Sequence, residues 1–102
     1  MREEFKAYKA TVHLKYTGTE LICDIIGEDN GIIDIENPCV LQTVMTGDGE
    51  SQMAMVPWLI TSKDNKISIS LEDVLFTTDC RLDIAEQHTQ MFSSLILPKT
   101  FS

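Results

Sequence analysis

From Ala10 to Tyr16 the apolar residues Ala10, Val12, Leu14 and Tyr16 alternate with Thr11, His13 and Lys15. This is the two-residue period of a strand with one covered face and one wet face, and it predicts a first strand between Phe5 and Tyr16. Thr17-Gly18 turns the chain. Leu21, Cys23 and Ile25 then fall on one side and Ile22, Asp24 and Ile26 on the other, a second strand over roughly Glu20 to Gly27. Gly27-Glu28-Asp29-Asn30-Gly31 ends it, and the Asn-Gly pair accepts the positive φ values of a hairpin turn, so the chain is expected to double back here. Ile32, Ile33 and Ile35 resume the β pattern in a third strand from Gly31 to about Met45. Asn37-Pro38 falls in its middle; the proline has no N–H for a ladder bond, which predicts a bulge or a strong bend. A bend of that kind lets one long strand serve both halves of a small coiled sheet.

Thr46-Gly47-Asp48-Gly49-Glu50 reads as the next hairpin loop, and Met53, Met55 and Trp58 as the return strand, with Pro57 marking it as bent or near an edge. Ser62-Lys63-Asp64-Asn65-Lys66 is a further polar turn, after which Ile67 and Ile69 alternate with Ser68 and Ser70. Val74 to Thr77 suits a short last strand. Asp79 is placed to cap a helix, and Leu82, Ile84, Ala85, His88, Met91, Phe92 and Leu95 recur at three- and four-residue spacing. A closing amphipathic helix to about Leu95 follows, stopped before Pro98. Met1 to Lys9 carries enough pattern for no more than one helical turn. The expected fold is mostly β, a small, strongly bent five-stranded barrel over 1–78 with a C-terminal amphipathic helix over 79–95, in one domain of 102 residues.

Two stretches carry a family resemblance. Gly18, Leu21, Cys23, Ile25 and Asp29 hold the spacing of the Sm1 motif of Sm and LSm proteins, in which an aspartate follows the glycine at the eleventh place. Ile69-Ser70-Leu71-Glu72-Asp73-Val74-Leu75-Phe76-Thr77-Thr78 resembles the Sm2 segment, with Ser70 and Leu71 where the family has arginine and glycine. Ile33 stands where the family's asparagine is expected. More narrowly, the chain resembles the Sm-like proteins of cyanophage origin known from marine sequences, which implies residence in a host cytoplasm. The resemblance implies an Sm-like barrel whose short last strand, through Val74, Leu75 and Phe76, pairs with the fourth strand of a neighbour in a pentameric to heptameric ring. It also implies single-stranded RNA or DNA as ligand and a role in nucleic-acid processing or regulation. In the family the loop after the second strand and the Sm2 loop line the inner rim of the ring and hold a base. The matching positions here are Asp29, Asn30, Ile33, Ser70 and Leu71.

Charge qualifies that implication. The net charge is -8, which argues against gripping long duplex nucleic acid by phosphate neutralisation alone. No Lys or Arg occurs between Tyr16 and Ile60, whereas Glu20, Asp24, Glu28, Asp29, Asp34, Glu36, Asp48 and Glu50 all fall there. Basic residues gather in the first segment, where Lys6, Lys9 and Lys15 interleave with Phe5, Tyr8 and Tyr16. That pattern suits phosphate contact and base stacking, and equally an ordinary half-exposed strand. Asp29-Asn30-Gly31 is also good turn chemistry in its own right, and Glu28, Glu72 and Asp73 bring acid to the same rim. An acid-rich ring that binds protein, without nucleic-acid binding, is therefore the alternative function.

Cys23, Cys39 and Cys80 form no CxxC pair, so reduced packing residues are expected rather than a disulfide framework or a zinc knuckle. Asp24, Glu28 and Asp29 lack the spacing of a calcium loop. His13 and His88 are isolated, and neither a nucleophile elbow nor a P-loop occurs, so neither catalysis nor a cofactor or metal is expected. His88 lies on the helix stripe and is expected to pack there. There is no uncharged run to span a membrane and no signal-peptide core, so a cytoplasmic location is expected.

Overall fold

In the computed structural model, which describes residues 5–96, the Asn30-Gly31 turn and the Asn37-Pro38 bend together fix the course of the sheet. Six strands and one helix follow in chain order: β1 (Tyr8–Leu14), β2 (Glu20–Asp29), β3 (Ile32–Met45), β4 (Ser51–Pro57), β5 (Lys66–Ser70), β6 (Val74–Asp79) and α1 (Leu82–Ile96), with a short 3-10 turn at Leu71–Asp73 between β5 and β6. Asn30 and Gly31 have φ of 52° and 77°. Both central residues of the turn are thus left-handed, which matches the twist of the flanking strands and brings Asp29 opposite Ile32.

Every pairing is antiparallel: β1 with β2 and β6, β2 with β3, and β3 with both β4 and β5. The long strand β3 does serve two halves. Its first part, Ile32 to Glu36, lies between β2 and β5, and its second, Cys39 to Met45, pairs with β4. The change of partner occurs at Asn37, whose φ is 55°. There Ile22 faces Cys39 while Asp24 faces Glu36, so β3 carries one residue more than β2 across the bend. A second shift lies between Ile25 and Gly27, with the extra residue on β2.

The expected mostly β, strongly bent sheet with a C-terminal helix is what the chain forms. Three details differ. The return strand is two strands, because residues 58–65 leave the ladder and are tied back to the bend: Trp58 N–H donates to Pro38 O at 2.9 Å, and Asn37 N–H to Asn65 O at 2.7 Å. The sheet is open, since β6 bonds to β1, whereas β4 and β5 bond to β3. Asp79 does not cap the helix; it ends β6, paired with Ala10, and α1 starts only at Leu82. Of the single turn expected for Met1 to Lys9, residues 1–4 lie outside the described residues, and Tyr8 and Lys9 belong to β1.

The inner face of the bent sheet closes over Val12, Leu21, Cys23, Ile25, Ile33 and Ile35, with Ile69 arriving from β5. Burial pushes the Cys23 and Cys39 thiols up to about 12 and 11. They stay protonated, and all three cysteines are free. Helix α1 lies across the opposite, outer face. His88 turns toward the sheet, with Ile84, Ala85, Met91 and Phe92 half-buried on the same helix, but Leu82, expected on the covered stripe, is 75% exposed. The Leu95 side chain lies outside the described residues.

Candidate nucleic-acid interface

The β2–β3 turn and the segment from Ile69 to Asp73, far apart in the chain, meet at one rim. Leu71 N–H donates to Gly31 O at 2.8 Å, and Ser70 pairs with Ile32. Asp29, Asn30, Ser70 and Leu71 therefore lie together at the end of the β2–β3 hairpin. The Ser70 hydroxyl accepts from Glu72 N–H at 3.2 Å and caps the 3-10 turn. Asp73 O accepts from Lys15 N–H at 2.8 Å, which ties the start of β6 to the end of β1.

The rim is exposed and its charged side chains, Glu28, Asp29, Glu72 and Asp73, are acidic. Ile33 is not part of it. The side chain is buried in the core, opposite Glu28 and Ile69, so it offers nothing to a base. Ile32, exposed opposite Ser70, is an apolar residue that the rim presents together with Leu71. The strand period determines this, because neighbours on β3 face opposite sides.

The basic residues are dispersed. Lys15 is exposed and its ammonium lies 5.9 Å from the centroid of the Tyr16 ring, a cation–π arrangement. Lys6 is exposed before β1, and the exposed Tyr8 ring stacks with Phe5 at 6.1 Å between centroids. Lys9 faces the other way, beneath α1. Its ammonium pairs with Asp24 at 2.8 Å and donates to His88 Nδ1 at 2.7 Å.

That last contact belongs to a partly buried chain of polar groups. His88 is fully buried, with Nε2 2.7 Å from Asn37 O. A carbonyl can only accept, so Nε2 carries the proton and Nδ1 is left to accept from Lys9. The imidazole is neutral in this arrangement. Burial holds its pKa below the usual value and Lys9 adds to that, while the bond to Asn37 O and the charge of Asp24 oppose it. No buried polar side-chain atom lacks a partner among the described residues. The helical stripe by itself predicts a packing or interface role for His88; the contact with Lys9 spans 79 positions and has no local signal.

Among the described residues no group of three His, Cys, Asp or Glu side chains converges as a metal site. No described helix is long and apolar enough to cross a membrane. No family model matches the chain, and no curated protein matches it.

Proposed function

We propose that the protein is an Sm-like module that assembles into a closed ring and binds single-stranded RNA or DNA in nucleic-acid processing or regulation. The observation that carries the reading is the set of open sheet edges, β6 at one end and β4 and β5, each bonded only to β3, at the other. Unpaired edges invite pairing with another chain, and a head-to-tail contact between identical subunits closes into a ring when the rotation permits. Leu75 and Phe76 on β6 are 59% and 49% exposed, so burying them against a neighbour would stabilise the contact. The rim of Asp29, Asn30, Ser70 and Leu71 then repeats around the ring, with Lys15, Lys6 and Tyr8 as the groups left to meet phosphates and bases. Lys9, engaged by Asp24 and His88, supplies none of that affinity.

The test is a titration of labelled poly-U, poly-A and oligo-dT at low and moderate salt. Binding that weakens with salt and again on Lys6→Ala and Lys15→Ala supports the reading. No binding at low salt rejects it. A second reading, a ring that binds protein, is favoured by the acidic side chains at the rim and by the engagement of Lys9.

A further inference from the structure

Beyond the Asn37-Pro38 bend, β3 and β4 run on as a two-stranded arm, from Val40 opposite Val56 to Met45 opposite Ser51. Residues paired across an antiparallel ribbon share a face, so Leu41 lies with Met55, Thr43 with Met53, and Met45 with Ser51. By the same register this face continues through Cys39 to Ile22, away from Val40, which packs on the core. It is therefore the outer face of the sheet. Over the base of the sheet α1 covers that outer face. Over the arm it is open, with Met45 70% and Met53 57% exposed. An isolated two-stranded ribbon is marginal in water, and one with apolar side chains on both faces gains from being covered.

Where the arm leaves the sheet, Thr19, Glu20, Ile22, Val40, Leu41 and Met53 line a groove of about 380 Å³. The charged side chains on its wall and along the arm are acidic, and the nearest basic residue in the chain is Lys15, in the turn that leads to Thr19. Glu20 stands on its wall, Asp48 and Glu50 are exposed at the tip of the arm, and no Lys or Arg occurs between Tyr16 and Ile60. The Thr46 hydroxyl and the Glu50 N–H both donate to Asp48. Another copy of this acidic chain would set acid against acid here. Methionine is unbranched and polarizable and adapts to varied apolar anchors.

We infer that this groove and the methionine face of the arm form a docking site for a basic amphipathic segment of a partner protein, its apolar anchor in the groove and its Lys or Arg side chains toward Glu20, Asp48 and Glu50. The site deepens the partner-binding reading. It uses a face of the arm, whereas ring closure uses the β4 edge, and it does not include the rim.

The experiment follows methionine methyl NMR signals while a labelled Lys/Leu amphipathic peptide is added to the full chain, with anisotropy giving the affinity. Shifts confined to Met45, Met53 and Met55 are expected, along with affinity reduced about tenfold or more by Met53→Asp and by Glu20→Lys. Both sites are on the surface, and unchanged unfolding midpoints and unchanged oligomer mass exclude a general disruption. A Glu/Leu peptide of the same pattern is expected not to bind, and poly-Lys to bind at least about tenfold more weakly. Poly-Lys binding equal to that of the amphipathic peptide, shifts at Met91 instead, or no binding overturns the site. Concentration-dependent shifts of the arm methionines without peptide that persist in Leu75→Asp also overturn it, since a second copy would then occupy the face rather than the β4 edge. Oligonucleotide binding is read separately on the same samples, so loss of the groove and loss of the nucleic-acid reading are distinguishable.

Discussion

The two halves of β3 have similar apolar content and different surroundings. From Ile32 to Glu36 the strand lies between β2 and β5 with core on one side, and Ile33 and Ile35, with Pro38 and Cys39 at the bend, are all buried. From Val40 to Met45 it has only β4 beside it, and Gln42 to Met45 are exposed. What separates the halves is a single bend whose backbone groups are all used. Asn37 N–H goes to Asn65 O, Asn37 O accepts from His88, and Pro38 O accepts from Trp58. One half holds the structure together, and the other is surface held out for contact.

The largest expected break in this comparison is Ile35→Ala. The side chain is fully buried, so its truncation should cost about 2–5 kcal/mol in a denaturant titration. Next is His88→Ala, which strips the Asn37 carbonyl and Lys9 of a partner and should cost about 1–3 kcal/mol. The same latch has a pH signature. Because the folded state lowers the His88 pKa, its contribution is complete above the ordinary histidine value and lost as pH falls through that value toward the folded one. The unfolding midpoint of the native chain should therefore drop on acidification through that window more steeply than that of His88→Ala. Gly31→Ala should cost about 1 kcal/mol: φ is 77° and nothing lies near the added carbon, so the loss is conformational. Smallest is Val44→Ala on the arm, expected within about 0.5 kcal/mol. A cost there comparable to that of Ile35→Ala would erase the contrast between the halves.

The features legible in the sequence were those with a local cause. Asn30-Gly31 announces its left-handed turn, Pro38 its missing donor, and the alternation from Ala10 to Leu14 its two faces. The features missed depend on partners far along the chain. Asp79 has the chemistry of a cap, but the ladder between β1 and β6 extends to it through Ala10 and delays the helix. Lys9 looked like a free cation in a basic segment, and only the fold brings Asp24 and His88 to it. At the rim, the motif spacing points to Ile33, yet the exposed residue opposite Ser70 is Ile32, because strand parity rather than motif position decides which residue faces out. The proposed docking face was hidden for a similar reason: Met45, Met53 and Met55 read as ordinary strand residues until the split after Pro57 leaves their part of the ribbon uncovered.

The central claim is that the open margins of this sheet are joined by copies of the same chain. Light scattering on the full chain and on Leu75→Asp tests it most directly. A native mass of several protomers, falling to one protomer or to aggregates when aspartate occupies the exposed β6 edge, is the result the account predicts. A native mass of one protomer, or an oligomer whose mass Leu75→Asp leaves unchanged, would contradict it.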